Sequence, residues 1–229
     1  MSVTFDPRPF RRLGALAALG CAMILQGCSS GGEGSELNKY VRDFATQRIS
    51  GGSSDGPARV TPAQVQQVAA KVKQPLVLID FPKINSNALI LEIGRNGPVQ
   101  TYATSARQTV SLQNGLARGS RGLGGDLISS DLGELPRLIA QRRGGIIHRE
   151  MRFLDGEDQT VRFHFSCDVT VGATSGTPRT TAMTEECTQI NGLRSFTNSY
   201  AVNGNGRVLK SKQWFGPSLG DALTRQIRF

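Results

Sequence analysis

Residues 161–169 read VRFHFSCDV, and their alternation decides the fold. Val161, Phe163, Phe165, Cys167 and Val169 fall on one side of an extended chain, and Arg162, His164, Ser166 and Asp168 on the other. A period of two, apolar on one face and polar on the other, marks an antiparallel strand packed on a core and wetted outside.

Just upstream, GIIHREMRFL (145–154) and the dipeptide Asp155-Gly156 turn that strand into a hairpin. Asp-Gly readily adopts the positive φ that a tight primed turn requires. The same grammar continues in both directions. PLVLIDF (75–81), NALILEI (87–93), PVQTYAT (98–104) and QTVSLQ (108–113) precede it, punctuated by Asn96-Gly97 and Asn114-Gly115. TTAMTEECTQ (180–189), LRSFTNSYAV (193–202), the turn NGNG (203–206) and RVLKSKQWF (207–215) follow. One helix interrupts the series near Glu134 to Gln141. The expected fold is mainly all-β: an antiparallel meander of about ten strands that hides its edges by curling into a distorted barrel or half-barrel.

Helices are expected ahead of the strands. In TPAQVQQVAAKVKQ (61–74), Thr61 is placed as N-cap, Pro62 at the first helical position and Gln64 at the third, a capping box. Val65, Val68 and Val72 form its apolar edge, and Pro75 ends it. SELNKYVRDFATQRI (35–49) carries Leu37, Tyr40, Val41 and Phe44 at helical spacing, between the flexible stretches SSGGEGS (29–35) and SGGSSDG (50–56).

The first 27 residues read as a targeting segment. Arg8, Arg11 and Arg12 precede an uncharged run of 13 residues, Leu13 to Leu25, short of the ~20 residues a membrane-spanning helix needs. Leu25-Gln26-Gly27-Cys28 resembles the bacterial lipobox, with cleavage between Gly27 and Cys28 and a diacylglycerol on the Cys28 sulfur. Two or more acyl chains anchor a protein stably where one does not. Cys21 is a rival acceptor, but its apolar run is shorter and it lacks the preceding Leu. The chain thus divides into residues 1–27 (signal), 28–56 (tether with an amphipathic segment) and 57–229 (β domain). Of four cysteines, Cys167 and Cys187 remain in the β domain. An even remainder in an exported protein points to a disulfide; two independent buried thiols are the alternative.

Residues 28–229 hold 24 basic and 17 acidic side chains, a balance of +7. This favours anionic partners such as lipid headgroups or acidic polysaccharide; nucleic acid is not expected outside the cytoplasm. Chemistry-bearing motifs are sparse. There is no G-x-S-x-G elbow, no C-x-x-C, and His148 and His164 lack metal-site spacing. The acids of DGED (155–158) lack the spacing of a calcium loop. RGLGGDL (121–127) is glycine-rich but has no β-α-β surroundings, so a tight bend is favoured over a phosphate cradle. Trp214, following Lys210 and Lys212, suits a core rim, stacking on a sugar or a membrane interface. Arg121, Asp126, Lys212 and Trp214 are the candidate ligand-binding residues; no catalytic residue, cofactor or metal is expected.

RGLGGDL (121–127), FLDGED (153–158), Cys167, EEC (185–187), FTNSYAV (196–202) and SKQWFGPSLG (211–220) occur in one order. Together they resemble the YjbF/GfcB family of bacterial lipoproteins, associated with exopolysaccharide and group 4 capsule production. The resemblance runs from about Thr61 to Ala222 and leaves out residues 34–56; Ala201 and Leu209 stand where aromatic residues are expected. It implies an outer-membrane lipoprotein, a β-rich barrel-like fold and no established catalytic site, and Ser29 after Cys28 is similar to members sent to the outer membrane. The expected role is a non-enzymatic accessory in polysaccharide assembly or export, binding polymer or secretion machinery. Two alternatives stand beside it: a lipid or lipoprotein carrier with an apolar hollow, and a polysaccharide-modifying enzyme.

Overall fold

The computed structural model describes residues 59–154, 157 and 159–229. The signal, Cys28, the tether with its amphipathic segment, the Asp155-Gly156 turn and Asp158 lie outside the described residues.

Strands form where alternation or β-branched runs favour them, and neighbouring strands in the sheet run antiparallel. β1 (Leu76–Phe81), β2 (Ser86–Asn96), β3 (Val99–Ala103), β4 (Thr109–Gln113) and β5 (Leu116–Arg121) follow one another as hairpins. The second half comprises β6 (Leu127–Asp131), β7 (Gly145–Leu154), β8 (Thr160–Ser175), β9 (Thr180–Gln189), β10 (Ser195–Asn203), β11 (Val208–Trp214) and β12 (Asp221–Arg228). All twelve belong to one sheet, ordered β5-β4-β3-β2-β1-β12-β11-β10-β9-β8-β7-β6. The last strand pairs with the first (Leu78 opposite Arg225, Ile79 opposite Thr224), so the sheet closes except for a seam between β5 and β6. The distorted-barrel expectation is met, with twelve strands where about ten were expected.

The three strands not among the nine stretches read from sequence, β5, β6 and β12, have little apolar alternation. Their inward positions include Ser120, Ser130 and Thr224, all buried polar residues. At the seam, a Cβ on Gly119 would lie 3.2 Å from the Leu127 carbonyl oxygen, so the two backbones approach closely. Side chains bridge what the ladder does not: the Leu127 amide donates to Ser120 Oγ (3.1 Å).

The meander sets up two ends. Connections after odd-numbered strands lie at one end, here called the upper, and those after even-numbered strands at the lower. Helix α1 (Pro62–Lys71) starts with the capping box read from sequence, Thr61 and Gln64 satisfying each other's amides. Its Val65 is buried together with Leu76 and Leu91, which face each other across β1 and β2 outside the main core. That places α1 on the outer surface of these strands. Arg59 donates to Asp80 (2.5 Å) and Asn85 (3.1 Å), so the described chain enters at the upper end. Helix α2 (Leu135–Gln141), inside the β6–β7 connection, buries Leu135, Leu138 and Ile139 at the lower end.

The interior is filled by side chains. Tyr102, Leu112, Leu116, Leu127, Met151, Phe165 and Phe215 are among the largest, each almost wholly buried. Opposite walls touch: Gln213 of β11 accepts from the Ala117 amide (2.9 Å) and donates to the Gly115 carbonyl (2.8 Å), flattening the barrel.

Burial, and then the Glu92 carboxylate, push the Tyr102 phenol up to about 12. An unfolded tyrosine ionises near pH ~10, so between pH ~10 and ~12 the unfolded chain releases a proton that the folded one keeps. Stability is full below that window and falls as pH rises through it. Thermal midpoints at pH 9 and 11 should therefore differ less in Tyr102→Phe than in the wild type; an equal drop overturns the assignment.

Candidate functional site

Inside the barrel, a charged pair is buried where alternation calls for apolar residues. Arg149 occupies an inward position of β7 between Ile147 and Met151, and Glu185 one of β9 between Met183 and Cys187. Their side chains are 2% and 0% exposed. Arg149 Nη1 donates to both Glu185 oxygens (2.8 and 3.0 Å), and its Nη2 donates to Ser130 Oγ (2.9 Å). Asn198 Nδ2 and the Tyr200 hydroxyl, both on β10, donate to Glu185 Oε2 at 2.6 Å each. Five residues on four strands are thus joined through one carboxylate. Burial, followed by the charge of Glu185, holds the Tyr200 phenol well above its ordinary range. Arg149 is opposed by burial, yet Glu185 and Tyr200 outweigh it, and its guanidinium is held above its ordinary value.

Cys167 and Cys187 stand directly opposite each other on β8 and β9 and form the disulfide (S–S 2.03 Å) expected from the cysteine count. Glu185 lies alongside, all three ligand atoms within 4.8 Å. The sulfurs are bonded to each other and the carboxylate neutralises Arg149, so this cluster holds the fold together rather than presenting thiolates to a metal.

The aromatic wall comes next. Phe196 stacks on Trp214 (4.8 Å, 16°), and Phe153 and Phe165 meet Trp214 edge-on at 5.6 and 6.1 Å. The Trp214 amide donates to Asn198 Oδ1 (2.8 Å) just past the last β10–β11 ladder pair. The indole is half-buried and packs on the core.

Arg121 ends β5, exposed, its Nη1 donating to the Ser120 carbonyl (2.5 Å). Asp126 accepts from the Gly122 and Leu123 amides (2.7 and 3.1 Å) and from Ser120 Oγ (2.8 Å), which fixes the β5–β6 bend. Lys212 points outward and pairs with Asp221 (3.1 Å). Arg121 and Asp126 therefore share one loop, and Lys212 and Trp214 one strand. Packing of Gly125 against Ser218 joins their connections: a Cβ there would lie 2.3 Å from that of Ser218. Gly216, at φ +114°, fits its backbone against the Phe153 ring in the same way. RGLGGDL, the start of FLDGED and FGPSLG thus assemble the upper end of the barrel. His148 and His164 are exposed and not opposite each other; Glu150 pairs with His164 in register, at 3.6 Å between side chains.

The family described as "Group 4 capsule polysaccharide lipoprotein gfcB, YjbF" matches residues 39–226. The chain belongs to that family. The match begins ahead of the resemblance seen by motif and takes in part of the segment 34–56 that it left out. No curated protein matches in sequence. Among solved structures, the hypothetical lipoprotein YmcC from Escherichia coli K12 has the same fold, with a TM-score of 0.65 at 12% identity, covering 82% of this chain and 95% of that one. Membership makes the protein a membrane-anchored lipoprotein of the capsule polysaccharide family. No helix among the described residues is long and apolar enough to cross a membrane.

The motifs that carry the family likeness coincide with this architecture: EEC supplies Glu185 and Cys187, FTNSYAV supplies Phe196, Asn198 and Tyr200, and SKQWFGPSLG supplies Gln213, Trp214 and the upper-end loop. The motif reading missed the Arg149–Glu185 pair. Its signal was available: a charged residue at an inward-facing position on each of two strands.

Proposed function

We propose that the protein is an outer-membrane lipoprotein, cleaved between Gly27 and Cys28 and acylated on Cys28, whose β domain stands on the periplasmic face. There it acts as a non-enzymatic accessory of capsule polysaccharide assembly or export, binding polymer or the export machinery. The observation that carries this reading is the family match across residues 39–226. The interior supports it further, since its buried charges are spent on each other and its apolar residues on a side-chain-filled core. A carrier would need an apolar hollow for acyl chains.

Deleting the gene should lower surface capsule, wild type should restore it, and Cys28→Ala should not, because the unacylated protein loses its hold on the membrane fraction. Membrane retention of Cys28→Ala, or unchanged capsule in the deletion strain, overturns the reading.

A further inference from the structure

The lower end of the barrel gathers basic side chains from elements far apart in sequence. Arg228 of β12 donates to the Ala69 carbonyl near the end of α1 (2.7 Å), bringing Lys71 and Lys73 beside the last strand. The Arg207 guanidinium lies 5.0 Å from the centre of the Phe229 ring, placing the β10–β11 turn next to it. From the other side, Arg142 Nη1 donates to the Asn203 and Gly204 carbonyls (2.9 and 2.8 Å), and Arg143 follows it. A Cβ on Gly206 would lie 2.3 Å from the Ala140 carbonyl, so α2 and this turn are in direct contact.

Arg142 and Arg228 hold this arc together, while Lys71, Lys73, Arg143 and Arg207 present their charges to solvent. Among the described residues, none of these four has a carboxylate at ion-pair distance. Of the lower-end acids, Glu92 and Glu134 are already paired, with Arg95 and Arg137, and Asp131 accepts from the Gly133 amide without reaching any of the four cations.

From this geometry we infer that the lower end binds a polyanionic glycan, with Lys71, Lys73, Arg143 and Arg207 as its contact cations. The inference rests on the accessory reading above and gives that role a surface. A row of unneutralised cations attracts a flexible polyanion through many weak, salt-sensitive contacts. An anionic bilayer offers similar charge, but the described chain enters at the upper end, where Arg59 is tied to Asp80 and Asn85. The first described residue and the arc therefore lie at opposite ends of the barrel.

The test uses the domain from residue 29 onward with polygalacturonate as probe, dextran as uncharged control and phosphatidylglycerol vesicles as the competing surface. The variant Lys71→Glu/Lys73→Glu/Arg143→Glu/Arg207→Glu should bind polygalacturonate on the order of tenfold more weakly or worse. Arg107→Glu/Arg162→Glu, at the upper end and on the outer wall, should bind as wild type, and added salt should weaken binding. Unchanged thermal midpoints confirm that both variants fold; if the fourfold variant does not fold, Lys73→Glu/Arg143→Glu takes its place. Equal binding by the arc and control variants, no binding by wild type, or tighter binding to vesicles than to polymer each overturns the inference. In cells, an anchored and folded arc variant that restores full capsule sinks the arc alone, whereas a deletion strain with normal capsule sinks the accessory role.

Discussion

Glu185→Ala should lower the unfolding free energy by about 3–5 kcal/mol, the usual cost of breaking a buried ion pair from one side. The Arg149 guanidinium would remain charged, because no accessible pH removes its proton, and would face a cavity with Ser130 as its remaining partner. Asn198 and Tyr200 would lose their acceptor as well, each becoming a buried donor without a partner. Domains of this kind are stable by only about 5–15 kcal/mol in total, so the variant is expected to unfold at far lower urea. Arg149→Met/Glu185→Met supplies the contrast. With both charges gone and apolar volume kept, much of the loss should be recovered. If the single substitution costs less than about 1 kcal/mol, the range typical of exposed pairs, the carboxylate is not the hub described here.

The second large effect concerns the Cys167–Cys187 disulfide. It spans 20 positions in sequence, and closing a loop of that size in the unfolded chain is worth about 3 kcal/mol on the chain-entropy account. Cys167→Ala/Cys187→Ala should lose roughly that amount, with alanine chosen so that no buried hydroxyl is introduced. Iodoacetamide without reductant should leave both sulfurs of the folded wild type unmodified. Two added carbamidomethyl groups would show that the bond is absent in solution. Combined with Glu185→Ala, the losses should not add, since Cys187 and Glu185 are neighbours on one face of β9 and share a surrounding.

Legibility along the chain followed the physics of each segment. The β7–β8 hairpin, the capped helix α1 and helix α2 were readable because local chemistry and burial agree there: VRFHFSCDV buries its apolar parity, and Thr61 and Gln64 pair as their spacing requires. β5, β6 and β12 were not readable, because Ser120, Ser130 and Thr224 interrupt the apolar series on their inward faces. Parity signals a strand only where the core is apolar. The buried ion pair escaped for the same reason, since a charge at an inward position reads as an interruption until the partner strand is known. Asp126 and Trp214 were identifiable as unusual residues. Whether such a residue shapes the fold or meets a ligand depends on neighbours distant in sequence, such as Ser218 for the glycine loop and Phe196 for the indole.

The pairing of the first strand with the twelfth has a consequence for how the molecule is made. The two ribbons, β1–β5 and β6–β12, cannot be joined until the final segment has emerged, so a contact of very long sequence separation is among the last to form. Such topology slows folding, leaving the chain pliable while it is delivered. A lesion confined to the closing residues, as in Ala222→Asp, would therefore act late, leaving two ribbons, β1–β5 and β6–β11, unjoined and their raw edges open to self-association.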